Sequence, residues 1–404
     1  MNVLQVNSVF GQGSTGRIVK DLHDILLLRG FESSVAYGRE DASNVCDAIR
    51  IGHRYDNYSH VAKTRIFDAH GYGSYFATKK FVKKIDYLRP SVIHLHNVHG
   101  YYLNIEILFN YLAVSQIPVV WTMHDCWPMT GHCAHFDFVC CQKWKTICCD
   151  CPQKKSYPTS LLVDRSKKNY QVKKNLFTSL KNLHVVAVSK WLGGIVKQSY
   201  LAKYPLYIIP NGIDVDIFFP QKNSFEIRCK YGVGSRYMLM GVATAWSERK
   251  GLKDFIELSK VLDDECVIFL VGLSESQLKS LPKKIIGIPR TDDIKELAQL
   301  YSAADIILNL SAEETFGLTS VEGFACGTPG IVYNCTASPE LITPETGCVV
   351  NKGDFNGLIN SITKIKEMRK ESYSKACRER AVKYYNKNDR YMDYLKLYEE
   401  IIQP

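Results

Sequence analysis

A long apolar run is the first feature that this 404-residue sequence lacks. The most apolar stretch, residues 105–123, contains Glu106, Asn110, Gln116 and Pro118, and it therefore predicts a helix followed by a strand. A membrane-spanning helix needs about 20 consecutive apolar residues, so the sequence predicts none. The N-terminal residues have neither a basic region nor a long apolar region, so we expect no signal peptide and a cytoplasmic location.

Tandem repeats and low-complexity segments are also lacking, which excludes a solenoid. Hydrophobic residues make up 46% of the chain and charged residues 23%, proportions that are typical of globular enzymes. A chain of this length exceeds what one hydrophobic core usually supports, so we expect two domains.

Acidic residues are scarce in the first half of the chain. Residues 1–205 contain 26 Lys and Arg against 14 Asp and Glu, a balance of +12, whereas the remainder contains 25 against 27, a balance of −2. The whole excess therefore lies in the first half, which favours an acidic partner such as an anionic membrane, a lipid diphosphate or a nucleic acid. A helix predicted at 76–88 places four lysines on one face, and that face is either simply solvated or in contact with anionic lipid. These lysines are Lys79, Lys80, Lys83 and Lys84.

Short apolar β segments alternate with helical patterns along the chain. The predicted strands are 2–7, 33–37, 91–97, 118–125, 183–189, 237–244, 265–272, 284–288, 305–310 and 330–333. Strands that alternate with helices favour parallel sheets covered on both faces. We expect one domain at 1–205, a second at 206–385 and a C-terminal helix at 386–404 that packs back on the first domain.

Residues 305–331 predict a strand, an acidic loop and a short helix that ends at Gly327. The first amides of that helix, near Gly317–Thr319, have no intrahelical acceptor, and with the helix dipole they form an anion site. Glu314 precedes the helix and Glu322 lies within it. A helix N-terminus that can bind phosphate, with two carboxylates beside it, suits a ligand that has both phosphates and hydroxyls, such as a nucleotide sugar.

Arg249 and Lys250 follow the strand predicted at 237–244, where the next helix begins. Positive charge is unfavourable at a helix N-terminus. A cation at this position is therefore better explained by a nearby anion, such as a diphosphate.

In combination, these motifs resemble the retaining glycosyltransferases of family 4. The matching segments are Pro210–Asp214, Lys250-Gly251, Tyr301–Asp305 and Glu314–Pro329. The resemblance implies an α/β chain of the GT-B fold, in which two doubly wound Rossmann-like domains face each other across a cleft. It assigns the acceptor to the first domain and the nucleotide sugar to the second.

The resemblance also implies roles for individual residues. Glu314 contacts the hydroxyls of the donor sugar, and Glu322 contacts the ribose hydroxyls. Lys250 and Arg249 hold the diphosphate, although the family usually has an additional Arg where this sequence has Thr244. The loop and helix start meet the distal phosphate and sugar through Phe316, Gly317, Leu318 and Thr319.

The first half supplies further candidates. His124, at the end of the strand predicted at 118–125, resembles the family's histidine that touches the donor sugar, and we assign it to catalysis with Glu314 and Lys250. In the Gly-rich loop before a helix predicted from Ile18, the resemblance brings the Gly16 amide near the donor phosphate or the acceptor. We place four further residues on the acceptor side, namely Gly13, Arg17, His96 and Asn97.

Metal binding is considered at three places. His94, His96 and His99 lie close in sequence, but lining of the acceptor side is favoured over a metal cluster. Asp214-Val215-Asp216 has the D-x-D form of metal-dependent glycosyltransferases of another fold, yet family 4 routinely has Asp here. We therefore expect no cofactor to be required for the chemistry.

Seven of the 14 cysteines lie between Cys126 and Cys151, and they suggest the third metal site. Cys133, Cys141, Cys148 and Cys151, with a closing C-x2-C, match a tetrahedral structural zinc site. A reduced cluster without metal remains the alternative. The segment around these cysteines also resembles bacterial exopolysaccharide and O-antigen glycosyltransferases of the colanic-acid type.

The sequence therefore predicts a retaining glycosyltransferase for bacterial surface polysaccharide. Its donor would be a UDP- or GDP-linked sugar, and its acceptor a hydroxyl of a polyprenyl-diphosphate-linked glycan at the anionic inner-membrane surface. One alternative is a nucleotide-sugar epimerase of the same fold, which would not need an acceptor to release nucleoside diphosphate. A zinc-dependent nucleic-acid-binding protein is a remote alternative because it leaves the second half unexplained, so we expect no nucleic-acid partner.

Overall fold

The computed structural model describes residues 1–40, 42, 47–222 and 224–402. The chain forms two compact units, one of residues 1–210 with 391–404 and the other of residues 211–390. No helix among these described residues is long and apolar enough to cross a membrane.

The first unit contains a parallel sheet of seven strands in the order β3-β2-β1-β4-β5-β6-β7. The strands are β1 (Asn2–Asn7), β2 (Glu32–Tyr37), β3 (Ala48–Arg50), β4 (Val92–Leu95), β5 (Val119–Met123), β6 (Leu183–Ala187) and β7 (Leu206–Ile208). The helices are α1 (Gly13–Leu28), α2 (Arg54–Phe67), α3 (Tyr75–Leu88), α4 (Ile105–Ser115), α5 (Ser166–Phe177) and α6 (Lys190–Lys197).

The second unit contains a parallel sheet of six strands in the order β10-β9-β8-β11-β12-β13. The strands are β8 (Tyr237–Val242), β9 (Cys266–Val271), β10 (Ile285–Ile288), β11 (Ile306–Asn309), β12 (Gly330–Tyr333) and β13 (Gly347–Val350). The helices are α7 (Ser224–Lys230), α8 (Leu252–Val261), α9 (Glu275–Leu278), α10 (Ile294–Ala303), α11 (Leu318–Ala325), α12 (Phe355–Met368) and α13 (Lys370–Tyr385).

The predicted strands are confirmed. Most of them are runs of apolar residues, which a parallel sheet buries on both faces. Three strands were not predicted, namely Ala48–Arg50, Leu206–Ile208 and Gly347–Val350. Each has only three or four residues and lies at the edge of its sheet, where burial on one side is incomplete. Their sequences therefore lack the continuous apolar pattern on which the prediction depended.

The last helix, α14 (Lys387–Ile402), connects the second unit to the first. Its start is held in the second unit by the Lys387 ion pair with Asp214, at 2.7 Å. From Tyr391 onward it packs in the core of the first unit, where the Tyr398 hydroxyl forms a hydrogen bond with His94 Nδ1 at 2.6 Å. The units consequently divide after residues 210 and 390, five residues beyond each predicted boundary.

Candidate active site

The second unit brings the predicted donor residues together at one point of its sheet. Strands β8 and β11 are hydrogen-bonded neighbours, and the strand order reverses direction between them. Open α/β sheets bind ligands at such a switch point, outside the carboxyl ends of the strands. Lys250 lies in the loop that follows β8, and Glu314 lies in the loop that follows β11.

The contact between these loops is ionic. Lys250 Nζ lies 2.5 Å from Glu314 Oε1, and both side chains are largely buried. Burial opposes ionisation of Glu314, but Lys250 and Arg249 outweigh it and hold the pKa of this carboxyl below its ordinary value. Arg249 Nη1 also donates to the carbonyl of Glu313 at 2.7 Å. Both cations predicted to hold a diphosphate therefore lie against the acidic loop.

Gly251 explains why the two loops approach so closely. It has a positive φ of 76°, and a Cβ at this position would lie 2.1 Å from the carbonyl oxygen of Leu310 at the end of β11. A residue with a side chain would therefore have to push the Lys250 loop away from the acidic loop. The Lys-Gly pair thus combines the cation with the glycine that positions it.

The acidic loop is fixed by contacts that the sequence did not reveal. The amide of Glu314 donates to Thr336 Oγ1, and the Thr336 hydroxyl donates back to the carbonyl of Glu314, each at 2.8 Å. The buried Phe316 ring packs edge-on against Tyr385. Gly317 precedes α11 with a φ of 104°, in the left-handed region that favours glycine.

Helix α11 carries the second predicted carboxylate. Its first amides, including those of Leu318 and Thr319, have no acceptor within the helix by the geometry of an α-helix. Glu322 is buried one turn further on, where one carboxylate oxygen accepts a hydrogen bond from the Tyr301 hydroxyl at 2.9 Å. Tyr301 lies on α10, so its role in orienting Glu322 depends on packing between two helices.

In the first unit, a chain of hydrogen bonds determines the tautomer of His124. The carbonyl of Val19 can only accept, so the Gln5 amide nitrogen faces it and the Gln5 oxygen accepts from His96 Nε2–H. His96 Nδ1 is then the acceptor for His124 Nε2–H, at 3.0 Å. Burial lowers the pKa of His124 to about 4 and that of His96 well below its ordinary value, so both rings are neutral near pH 7. The acceptor nitrogen of His124 is therefore Nδ1.

This network corrects the position predicted for His96. The side chain was expected to line the acceptor side, but it is buried between Gln5 and His124. Its contact is with His124 rather than with the surface. Asn97, which was also predicted on the acceptor side, is only partly buried, and its backbone N–H donates to Asn7 Oδ1.

Asp125 belongs to a second network beside His124. One of its oxygens accepts from His99 Nε2 at 2.8 Å, and His99 Nδ1 contacts the Tyr157 hydroxyl at 2.9 Å. Burial opposes the ionisation of Asp125, but His99 overcomes this effect and the pKa falls to about 2. Tyr157 lies beyond the cysteine cluster Cys126–Cys151, and no sequence pattern indicated that it approaches His99.

The Gly-rich loop differs from its prediction. Helix α1 begins at Gly13, five residues before the predicted start at Ile18. Gly16 therefore occupies the fourth helical position, where its amide can bond within the helix, and the amides without intrahelical acceptors belong to the residues before it. Arg17 is exposed and donates to the carbonyl of Gly13 at 3.3 Å.

The aspartates of the D-x-D motif and the three neighbouring histidines have other roles. Asp214 pairs with Lys387 and accepts from the amides of Asp216 and Ile217. His94 contacts Tyr398 and Thr122. Within the described ranges, no three His, Cys, Asp or Glu side chains stand at the spacing of a metal site.

Two doubly wound α/β units, one with a cation–carboxylate pair at its switch point, define the class of GT-B glycosyltransferases. The structure of Anabaena Alr3699/HepE in complex with UDP has this fold. Its TM-score with the present structure is 0.69, with 15% identity over 99% of this chain and 100% of that chain. The expected fold is thereby confirmed.

The chain belongs to glycosyltransferase family 4. The model of the family described as Glycosyltransferase Family 4 matches residues 15–217, and that described as Glycosyl transferases group 1 matches residues 236–367. The chain is thus a member of a transferase family, as the sequence predicted.

Two Escherichia coli proteins are among its relatives. WcaC of strain K12, which carries the name of a colanic acid biosynthesis glycosyl transferase, is 28% identical over 53% of this chain and 55% of its own length. The UDP-Gal:alpha-D-GlcNAc-diphosphoundecaprenol alpha-1,3-galactosyltransferase is 24% identical over 47% of this chain and 53% of its own length. The chain spans about half the length of these relatives.

Proposed function

We propose that this protein is a retaining glycosyltransferase that moves a sugar from a UDP- or GDP-linked donor to a hydroxyl of a polyprenyl-diphosphate-linked glycan in bacterial surface polysaccharide synthesis. The observation that carries the proposal is the Lys250–Glu314 pair beside the start of α11, at the switch point of a family 4 chain. The names of the E. coli relatives support the pathway, and one of them describes a UDP-sugar donor and a lipid-linked acceptor. The solved complex of HepE with UDP supports a uridine nucleotide.

The second unit has cationic and N–H groups that could stabilise a departing nucleoside diphosphate. As the bond between the anomeric carbon and the diphosphate oxygen breaks, its electron pair leaves with the oxygen. Lys250, Arg249 and the first amides of α11 would stabilise that charge, and such preorganised groups typically give the largest catalytic contribution. No metal ion is needed in this scheme.

Glu314, Glu322 and His124 would orient the ligand. The Glu314 carboxylate, kept ionised by Lys250, would accept hydrogen bonds from hydroxyls of the donor sugar, and Glu322 would accept hydrogen bonds from the ribose hydroxyls. Nδ1 of the neutral His124 would accept a hydrogen bond from a sugar hydroxyl. We propose that the departing phosphate oxygen takes the proton of the acceptor hydroxyl while the new C–O bond forms on the same face.

Binding of nucleotides to the whole protein tests the donor assignment. Titration calorimetry with UDP, GDP, UDP-glucose and GDP-mannose should show binding of one base family, and Glu322→Ala should weaken it. Glu257→Ala, at a half-buried carboxylate on α8 that pairs with Lys260, is the control. Unchanged nucleotide binding in Glu322→Ala would contradict the ribose assignment, and absence of binding by all four ligands would contradict the donor site.

Identification of the reaction products tests whether the protein is a retaining transferase. A transferase should release nucleoside diphosphate only when acceptor is added, and NMR of the product should show the anomeric configuration of the donor. An inverted anomer would contradict the retaining mechanism. Conversion of the donor sugar without acceptor would instead indicate an epimerase.

We also propose that α3 holds the protein on an anionic membrane surface. Its four lysines are exposed, and Phe76 and Tyr87 beside them are 81% and 86% exposed. Each basic residue near anionic lipid contributes about 1 kcal/mol. Vesicles containing phosphatidylglycerol should co-sediment the protein, and replacing the four lysines by glutamine should abolish this. The same change at four exposed lysines of the second unit, Lys279, Lys283, Lys352 and Lys364, should not, and equal losses would refute the proposal.

A further inference from the structure

The segment between β5 and α5 is ordered without regular secondary structure. Residues 130–165, all of which the structure describes, contain no α-helix or β-strand and only two short 3-10 turns, Asp137–Val139 and Lys143–Lys145. Ordering so long a segment costs conformational entropy at every residue, and irregular loops beyond about 15 residues are uncommon in compact domains. The described cysteines form no disulfide. Its ring contacts include the stacked pair Phe136 and Trp144 and the packing of Tyr157 on His99.

Four of its cysteines converge from three parts of the segment. Cys133 and Cys151 are joined by a hydrogen bond between their thiols, and Cys148 and Cys141 are close enough to act electrostatically on Cys133. All four, together with Cys149, line one cavity of about 10 Å³. A cavity of this size is about large enough for one water molecule, which is also the scale of a single metal ion.

A buried histidine beside the cavity has one nitrogen without a hydrogen-bond partner. His132 lines the same cavity, and its Nδ1 lies 2.5 Å from Asp68 Oδ1. Its side chain is fully buried, and Nε2 has no hydrogen-bond partner among the described residues. Histidines at protein metal sites are commonly held by a carboxylate on one ring nitrogen in this way.

Backbone and side-chain hydrogen bonds hold the cysteine turn. The amide of Gly131 donates to Cys148 and the amide of Gln153 donates to Cys151. Lys143 Nζ donates to the carbonyls of Cys149 and Asp150 at 2.9 and 3.0 Å, which closes the turn between the cysteines.

We propose that Cys133, Cys141, Cys148 and Cys151 bind one structural Zn²⁺ beside His132, which Asp68 holds at Nδ1. Each of the four thiols gives up its proton to solvent on binding, so the site carries a net charge of −2. Since no three potential ligands among the described residues stand at metal-binding spacing, the sulfurs must rotate toward the cavity when the ion binds. Four sulfur ligands select zinc over the oxygen-preferring cations.

The ion would also support the histidine network. It would fix the segment that carries Tyr157, whose hydroxyl contacts His99. His99 in turn holds Asp125 beside His124. The zinc proposal itself does not depend on the proposed function.

The metal content of the full-length protein tests the proposal. Protein purified under reducing conditions from zinc-containing medium should contain one Zn²⁺ per chain by plasma mass spectrometry. Titration of the four thiols with a mercurial should release it. Replacement by Co²⁺ should give the intense sulfur-to-metal charge-transfer bands and the visible spectrum of four thiolates. Chelation should lower the melting temperature.

A neighbouring cysteine provides a matched control. Cys141→Ser and Cys148→Ser should each lose the metal, whereas Cys140→Ser, at an exposed cysteine that does not line the cavity, should keep one equivalent. His132→Gln should keep the metal but bind it about 10- to 100-fold more weakly, as is typical when a side chain next to the ligands is replaced. If a ligand variant does not fold, the Co²⁺ spectrum and thiol titration of the parent protein still decide.

Three results would overturn the proposal. The first is parent protein with all thiols reduced and no bound zinc after incubation with the ion. The second is a Cys133–Cys151 disulfide in the purified protein, seen by mass spectrometry. The third is loss of metal in His132→Gln together with its retention in Cys141→Ser, which would replace the four-sulfur set by one that includes the histidine.

Discussion

Tyr301 orients Glu322 through a hydrogen bond of 2.9 Å between two buried side chains. Tyr301→Phe should therefore weaken nucleotide binding about tenfold with little change in kcat, because one hydrogen bond is worth about 1 kcal/mol or more to a carboxylate. The measurement is nucleotide titration calorimetry combined with steady-state kinetics.

The second unit offers a matched control for this change. The Tyr231 hydroxyl donates to Glu296 at 2.7 Å, and this pair lies away from the β8–β11 switch point. Tyr231→Phe should reduce stability to a similar extent while nucleotide affinity stays the same. Equal affinity losses in the two variants would mean that Tyr301 acts on folding rather than on Glu322.

Lys250 and Glu314 predict a pH-dependent difference in stability. The folded pKa of Glu314 lies below its ordinary value, so the ion pair stabilises the protein above the ordinary carboxyl pKa, and this contribution is lost as the pH falls through the folded pKa. At pH 7, Lys250→Met should lower the free energy of unfolding by about 1–3 kcal/mol, because the carboxylate loses its cation. The difference should shrink as the pH is lowered through the carboxyl range.

Urea unfolding at a series of pH values measures this effect. Lys253→Met, at an exposed lysine on α8, is the control and should change stability little at any pH. A Lys250→Met deficit that stays constant with pH would show that the lost contact is not ionic.

At the scale of elements, the turn between β8 and α8 depends on Gly251. The Cβ of an alanine would lie 2.1 Å from the Leu310 carbonyl oxygen, so Gly251→Ala should combine backbone strain with a displaced loop. We expect it to lower the free energy of unfolding by about 3 kcal/mol or more and to reduce nucleotide binding. Chemical denaturation and calorimetry would measure the two effects.

Gly232 separates strain from displacement. It also has a positive φ, of 67°, but an added Cβ would meet nothing within 4 Å. Gly232→Ala should therefore cost about 1–2 kcal/mol from the backbone alone and leave nucleotide binding intact. If the two alanine variants behaved alike, close approach to Leu310 would not be what requires Gly251.

For the whole molecule, the distribution of histidine predicts that the two units respond differently to acid. All 11 histidines lie in the first 184 residues, so the second unit has none. Burial lowers the pKa of His60 to about 3 and that of His124 to about 4, and it lowers the pKa values of His70, His94 and His96 well below the ordinary value. The unfolded chain therefore binds more protons than the folded chain below pH 6.5.

The sign of this linkage makes the first unit less stable as the pH falls from 6.5 toward 4. Each buried neutral histidine contributes about 1.4 kcal/mol of lost stability per pH unit in that range. Hydrogen exchange at pH 7 and pH 5, corrected for intrinsic rates, should show loss of protection in β4 and β5 before loss in β8 and β11. Equal losses in both units would contradict the prediction.

Much of the fold and part of the site could be predicted because they depend on local sequence. Long buried strands can be recognised as runs of apolar residues, and the position of Glu314 just before a helix start is a local sequence pattern. Edge strands such as Ala48–Arg50 were missed because short elements take their stability from neighbours rather than from their own residues, and the start of α1 was placed five residues late because element boundaries are the least predictable feature of a sequence. Likewise, the contacts of Tyr301 with Glu322 and of Thr336 with Glu314 carry no local signal, since each joins residues from different elements or loops.

By itself, then, the sequence determined the alternation of strands and helices, the carboxylates and cations of the proposed donor site, and the clustering of cysteines. These follow from the order of residues along the chain. Only the tertiary structure decided that Lys250 lies 2.5 Å from Glu314, that His96 lies buried behind His124, and that five cysteines and His132 line one cavity. The physical reason is that these contacts join residues far apart in sequence or depend on which side chains are buried. Both are set by the packing of the folded units and not by the local sequence.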